Sequence, residues 1–460
     1  MKIAFVTPEV RPISKSGGLA DYVQSLASAI SEMGNEVHVV TPDYSSSQEE
    51  ADETINVNGL TLTFRKQQVG RWTAEKIGSA ELFSRKDMYG YEDDYRRFAY
   101  FSKAAADHIM GNAYDIVHCN DWQTGYVPLL LKQSNSQIPV LYTIHNMEFQ
   151  GNSAPEILDE IGVSRSFFHM EGVEYYGKAS AMKSGIVYSD SVVTVSPTYS
   201  REIQTPDYGF GMDGVIRKYS SKLSGILNGI DYRVWNPSSD AELRAGYGAE
   251  SLEGKAQCKS ALQREFSLPQ VGRPLVAFIG RLWRQKGADI LLDALKSVRG
   301  NFQLVLLGSG DRALVRRIEN MAASNPSIRA IMRFDEPLSH RIYAGADIFV
   351  MPSRFEPCGL GQMISMRYGT VPVVRKTGGL ADTVTRFDAV TGEGNGFVFA
   401  ENDPLELADA LSEAVMTYGD KEKWKRLVQN CMNRDFSWQS SAQAYLRLYR
   451  KIGGRDSELP

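Results

Sequence analysis

The stretch that most constrains the fold runs from Met351 to Val384, MPSRFEPCGLGQMISMRYGTVPVVRKTGGLADTV, and reads as two successive strand–loop–helix units. Asp347 to Pro352 (DIFVMP) is an apolar run closed by proline, the mark of a buried strand. Gly359 is expected to open a helix carrying Met363, Met366 and Arg367. Thr370 to Val374 (TVPVV) is the next strand, and Gly378-Gly379 opens the next helix. Strands alternating with helices build a parallel sheet, whose ligands bind where strand ends meet helix starts. One loop carries the carboxylate of Glu356 beside Cys358. The other carries Lys376 and two glycines that let backbone N–H groups approach closely. Helix N-termini favour anions, so this edge suits a phosphorylated, hydroxyl-rich ligand such as a sugar nucleotide.

The phrase recurs. Lys15 to Val23, KSGGLADYV, nearly repeats Lys376 to Val384, KTGGLADTV. It follows a buried strand, Lys2 to Thr7, and the helix after Gly17-Gly18 puts Leu19, Tyr22, Val23, Leu26 and Ile30 on one face. That helix ends at Gly34, and Glu36 to Val40 is the next strand, which completes a βαβ unit. At 460 residues the chain exceeds one core, so the two phrases mark comparable βα loops in two domains. Further first-domain strands are expected at Tyr114–His118, Pro139–Ile144, Ser191–Val195 and Lys222–Leu227. Residues 51–100 read as inserted hairpins, and Glu148 to Lys178 as a loop covering a cleft. Asp231 to Gly254, rich in Pro, Ser and Gly, reads as the linker. The second series of strands is Pro274–Ile279, Phe302–Leu307, Ile328–Arg333, DIFVMP, TVPVV and Gly396–Phe399, and the amphipathic tail from Phe436 is expected to cross back to the first domain.

Composition narrows the partners. The hydrophobic share of 43% and charged share of 23% are those of a globular protein. A net charge of −4 argues against nucleic acid or an anionic membrane as main partner. The four cysteines form no CxxC, and no His or Cys cluster has metal-ligand spacing, so neither disulfides nor a metal is expected. No apolar run reaches membrane-spanning length, and MKIAFVTPEV lacks a signal-peptide pattern. A cytoplasmic protein is expected, and a trimmed, mature plastid protein would read the same.

Several side chains offer chemistry, each with a plainer alternative. Arg281 and Lys286, in GRLWRQKG directly after a strand, supply a donor fork and a point charge for a diphosphate, or form a surface pair. Gly308-Ser309-Gly310-Asp311-Arg312-Ala313 fits a dinucleotide fingerprint, or is a glycine turn lining a nucleotide site. His145 and Asp121 stand at strand ends, as ligand-facing residues do, although a lone His is commonly structural. Cys358 near a helix start has no base beside it in sequence, which favours a lining role over a nucleophile.

Taken together, KSGGLADYV, HCNDWQTG, YTIHNMEFQG, YYGKASAMKSGI, TVSPTYSREI, ILNGIDYRVWNP, GRLWRQKG, SHRIYAGADIFVMPSRFEPCGLGQ and GTVPVVRKTGGLADTV span nearly the whole chain in one order. The chain resembles bacterial glycogen synthases and plant starch synthases. These are retaining glucosyltransferases with the GT-B fold, two Rossmann-like domains facing across a deep cleft. The resemblance implies transfer of glucose from ADP-glucose to the non-reducing end of an α-1,4-glucan, with no cofactor. It implies an acceptor-side domain at 1–235, with a helix at 436–460 packing back on it, and a donor-side domain at 236–435. Lys15, Arg281 and Lys286 would hold the diphosphate, near Gly17, Gly18 and the Thr377-Gly378-Gly379 turn. Glu356 would bind the glucose hydroxyls beside Cys358 and Gly359. His145, Asp121, Asn146 and Asn228 would line the sugar site. Leu360 and Gly361 would offer N–H groups to phosphate, and Phe334 would face the adenine. The family commonly has Thr where this chain has Gly361. Related GT-B enzymes have a second Glu where it has Ile364.

Overall fold

The computed structural model describes residues 1–45, 51–57 and 59–454. Residues 455–460 of the expected tail lie outside them. The chain divides into two compact units, Met1–Gly229 with Trp438–Pro460, and Ile230–Ser437. Among the described residues no helix is long and apolar enough to cross a membrane.

The first unit is built on a nine-stranded sheet. Its spatial order is Leu223–Gly225, Ser191–Thr194, Val140–Ile144, Ile116–Asn120, Lys2–Val6, Glu36–Asp43, Trp72–Gly78, Leu60–Val69, Glu53–Val57. The first seven run parallel, while Leu60–Val69 is antiparallel to both its neighbours. Ile116–Asn120 and Val140–Ile144 are buried at every residue, which is why neither alternates apolar positions with exposed polar ones. From Lys2–Val6 the chain adds Glu36–Asp43 on one side and Ile116–Asn120 on the other, with Ile3 opposite both Val37 and Ile116. That divergence is the topological switch point. The helix Gly18–Glu32 buries Tyr22, Val23, Leu26 and Ile30, and Trp438, Ala442, Tyr445, Leu446 and Tyr449 of the helix Trp438–Ile452 join the same core.

The second unit carries a six-stranded parallel sheet in the order Ile328–Ile331, Gln303–Gly310, Leu275–Leu282, Ile348–Met351, Val371–Arg375, Phe397–Phe399. Its switch point lies between Leu275–Leu282 and Ile348–Met351.

Three expectations need correcting. Residues 51–100 are not a mere insertion, because Trp72–Gly78 pairs in parallel with Glu36–Asp43 and extends the main sheet. Residues 148–178 include a small sheet of Asn152–Ser153, Lys178–Ser180 and Glu174–Tyr175, not a bare loop. Residues 231–254 are no free linker. Trp235 stacks on His340 with ring centroids 4.0 Å apart, and Asp240 accepts from His340 and from Tyr368 at 2.7 and 2.5 Å. These contacts, and the Ile230 N–H donated to the Phe436 carbonyl at 2.8 Å, put the chain crossing at Gly229–Ile230, ahead of the expected 235.

Candidate functional site

In the second unit, the loops leaving the two central strands meet at the switch point. Lys286 lies after Leu275–Leu282 and Glu356 after Ile348–Met351, and Lys286 Nζ donates to Glu356 Oε2 at 2.6 Å. Ser353 Oγ donates to the same oxygen at 2.9 Å, so Oε1 takes part in neither contact. The carboxylate is nearly withdrawn from water, its side chain 6% exposed against 26% for the lysine. An ion pair in such surroundings is sensitive to loss of either partner.

The scaffold around this pair is dense. Arg354 grips Asp289 with two bonds of 2.8 and 2.7 Å and donates to the Arg284 carbonyl at 2.7 Å. The Arg354 amide reaches the Gln285 carbonyl at 2.8 Å, and Arg375 reaches back to the Arg354 carbonyl. Gly287, at φ 67°, lies where a Cβ would meet the Pro352 carbonyl oxygen at 1.9 Å, so no other residue lets the loops come this close. Arg281 sits at the exposed end of its strand with its guanidinium 5.2 Å over the Trp283 ring.

The glycine pair packs against the Glu356 loop. Cβ atoms on Gly378 and Gly379 would lie 2.0 and 2.1 Å from the Glu356 and Cys358 carbonyl oxygens. The Gly379 N–H is already spent on the carbonyls of Glu356 and Pro357, at 3.2 and 3.1 Å. Thr377, Gly378 and Gly379 are buried and seat the Glu356 loop from behind, while Lys376 is exposed. Cys358 is buried too. The helix begins at Gly361, not Gly359, which takes φ 76° before it. A Cβ on Gly361 would approach the Phe349 ring to 3.0 Å, a tight contact that a side chain there would need Phe349 to relieve. Leu360 caps this helix, Ile364 is buried within it, and Phe334 stands 78% exposed.

The dinucleotide-like turn is explained by packing. A Cβ on Gly308 would strike the Gly280 carbonyl oxygen at 2.1 Å, and the Asp311 carboxylate caps its own helix through the Ala313 and Leu314 N–H groups at 2.8 and 2.9 Å. A carboxylate there repels a phosphate.

In the first unit the corresponding edge gathers Asp121, His145 and Asn146. Asp121 ends its strand at φ 57°, ψ 178°, a region close to glycine-only and costly by about 1–3 kcal/mol for other residues. Its Oδ1 accepts the His145 and Asn146 amides at 2.7 and 3.4 Å. Burial raises the Asp121 carboxyl to about 7, against the pull of those two amides and with the help of Glu9. Burial lowers His145 to about 3, so its imidazole is neutral. His145 Nε2 meets Asn120 Oδ1 at 3.0 Å while Asn120 Nδ2 donates to the Val6 carbonyl at 3.2 Å, which assigns the proton to Nε2 and leaves Nδ1 as acceptor. The Asn146 side chain receives the Glu148 amide at 3.1 Å. Asn228 Oδ1 is buried without a hydrogen-bond partner among the described residues.

Glu9, not among the expected site residues, sits just ahead of the Gly18–Glu32 helix. Its Oε2 accepts the Ser16 amide and, at 3.2 Å, the Gly17 amide. Lys15 pairs with Asp21 at 2.8 Å, as does Arg11 at 3.2 Å. Gly18 has open space where a Cβ would point. Glu9, Asp21, Ser353, Arg354 and Asn120 are thus site residues that sequence reasoning missed. A carboxylate two positions beyond a strand, as in TPE, was the available signal for Glu9. Among the described residues no group of three or more His, Cys, Asp or Glu is placed to hold a metal ion.

Comparison with known proteins matches both units. Residues 2–218 fit the family model described as the starch synthase catalytic domain, and residues 273–416 that of glycosyl transferases group 1. The glycogen synthase of Thioalkalivibrio sulfidiphilus is 42% identical, covering 98% of this chain and 100% of its own. The solved catalytic domain of Starch Synthase IV from Arabidopsis thaliana, bound to ADP and acarbose, is 35% identical with a TM-score of 0.90, covering 99% of each chain. Sucrose-phosphate synthase from Thermosynechococcus elongatus, at 19% identity and a TM-score of 0.65 over 98% of this chain and 99% of its own, shares the fold alone.

Proposed function

Because the chain belongs to the family of glycogen and starch synthases, GT-B glucosyltransferases, we propose that it moves glucose from ADP-glucose to the non-reducing end of an α-1,4-glucan with retention of configuration. The observation that carries this reading is the Lys286–Glu356 pair at the switch point of the second unit. Glu356 holds the lysine through Oε2 and turns Oε1 to the glucose hydroxyls. Lys286 has three N–H donors, so while one is kept by Glu356 the others face the diphosphate. The Arg281 fork supplies the second cation.

As the bond from C1 to the phosphate oxygen breaks, negative charge grows on departing ADP and positive charge on the sugar, as in glycoside chemistry generally. The two cations answer the first, and fixed charges do so without reorganising. The acceptor hydroxyl attacks C1 from the face that ADP leaves, and its proton passes to the departing phosphate. Neutral His145, Asp121, Asn146 and the unpartnered Asn228 Oδ1 supply hydrogen bonds to sugar hydroxyls, and Phe334 a face for adenine. The ADP and acarbose bound to Starch Synthase IV support a nucleotide-sugar donor and a glucan acceptor. No cofactor is required by these steps, and a cytoplasmic site of action accords with the bacterial relatives.

The test is ADP release with glycogen as acceptor, run beside UDP-glucose. Glycogen-dependent ADP release with matching glucan gain is expected. Absence of transfer from both donors would overturn the proposal.

A further inference from the structure

The neutral imidazole of His145 is backed by a hydrogen-bonded chain that the proposed chemistry does not use. Tyr449, on the helix Trp438–Ile452, meets His118 Nδ1 at 2.7 Å, and His118 Nε2 meets Thr143 Oγ1 at 2.6 Å. Thr143 bonds Tyr22, whose hydroxyl donates to Tyr445 Oη at 2.9 Å. Burial holds His118 well below its usual range and therefore neutral, with one donor and one acceptor nitrogen. The directions are then fixed. Tyr449 donates to His118, His118 to Thr143, Thr143 to Tyr22 and Tyr22 to Tyr445. All five side chains are fully buried or within 1% of it, so none of these bonds competes with water.

The chain ends against the site. The Tyr22 ring stands edge-on to His145 with centroids 4.4 Å apart, and Trp438 also packs against Tyr22, at 5.5 Å. Beyond Tyr22, among the described residues His145 is held by a side-chain bond to Asn120 and by its own amide on Asp121. Asn120 fixes one end of the imidazole but leaves its tilt open. The Tyr22 ring closes that freedom.

We propose that Tyr22, held in place by Tyr445 of the C-terminal helix, is a positioning residue for His145. The proposal rests on the reading of His145 as a sugar-site residue. The helix Trp438–Ile452 then does more than complete a core, since the hydroxyl of Tyr445 sets the ring against which His145 leans.

A double-mutant cycle separates positioning from simple stability. Tyr22→Leu removes the ring edge and is expected to lower kcat about tenfold while the donor KM moves less than about twofold. Tyr22→Phe and Tyr445→Phe keep the rings but cut the tether, and should fall between wild type and Tyr22→Leu. In a His145→Ala background, Tyr22→Leu should change kcat by less than about twofold, because the group it positions is gone. Equal losses in both backgrounds would overturn the proposal. A second readout is independent of turnover. Solvent exchange of the His145 Nε2 proton, followed by nitrogen-15 NMR, should quicken in Tyr22→Leu at a temperature where circular dichroism shows the fold intact. An unchanged exchange rate would equally overturn it. If the wild-type chain transferred no glucose, the functional reading would fail, and the exchange measurement would still decide whether Tyr22 orients His145.

Discussion

On the proposed reading Lys286 and Glu356 concentrate the donor chemistry in one contact, so each substitution there has two expected effects. Lys286→Ala removes a cation that stabilises departing ADP, and a preorganised donor of this kind is worth about 3–4 kcal/mol, a hundredfold or more in kcat. It also strands a carboxylate that is 6% exposed, and breaking a buried pair costs about 3–5 kcal/mol of stability. Both losses are expected, in kcat and in denaturant midpoint. Near-normal turnover in Lys286→Ala would remove the pair from the site. Asp121 behaves differently. Asp121→Asn keeps an oxygen for the His145 and Asn146 amides but deletes a negative charge that burial opposes. A carboxyl raised from an ordinary 3.8 to about 7 costs stability as pH rises through that interval, and the full cost is present above about 7. Asp121→Asn should therefore unfold at higher temperature than wild type near pH 8, while any limb near 7 in the pH profile of kcat disappears. A lower unfolding temperature at pH 8 would contradict this account.

At the scale of elements, the same sign reasoning applies to a buried cluster remote from the site. Glu75 on Trp72–Gly78 accepts from His38 Nδ1 on Glu36–Asp43 at 3.0 Å, from His108 Nε2 on the helix Asp94–Met110 at 2.7 Å and from Tyr114 at 3.0 Å. The hydrogen bond to Glu75, against burial and with help from Glu36, raises His38 above its usual 6.5. Burial alone would raise Glu75, but its bonds to His108 and His38 outweigh that and hold it well below 4.5. The His38 contribution is complete below 6.5 and is lost as pH climbs through the raised value, whereas that of Glu75 is lost only in strong acid. Thermal stability should fall as pH rises above about 6.5 and through the raised His38 value, and the fall should shrink in His38→Gln. An identical fall in that variant would exclude the cluster as its cause. The elements themselves were largely legible in the sequence. Apolar runs such as KIAFVT, DIFVMP and TVPVV announce buried parallel strands, and KSGGLADYV announces its helix. The segment 231–254 was not, because polar composition says loop while the stacking of Trp235 on His340 and the Asp240 bonds are tertiary events. The GSGDRA turn was open to two readings for a related reason. Glycine marks close approach without saying whether the neighbour is a phosphate or, as with Gly308 and Gly280, another strand.

At the scale of the whole molecule, each unit has its own core, its own switch point and its own cluster of strand-end polar groups. Single site residues were visible in the sequence by their place after strands. Their partnerships were not, since Lys286 and Glu356 come together only when two distant strands lie side by side, and Glu9 binds the amides that precede a different element, the helix Gly18–Glu32. The central claim is that glucose passes directly from ADP-glucose to the glucan, with Glu356 as an anchor already engaged by Lys286 and Ser353 rather than as a nucleophile. Mass spectrometry of the enzyme quenched during incubation with ADP-glucose, without acceptor, tests this most directly. The account predicts an unmodified chain that transfers glucose once glycogen is added. A glucosyl adduct on Glu356 would contradict it and establish double displacement.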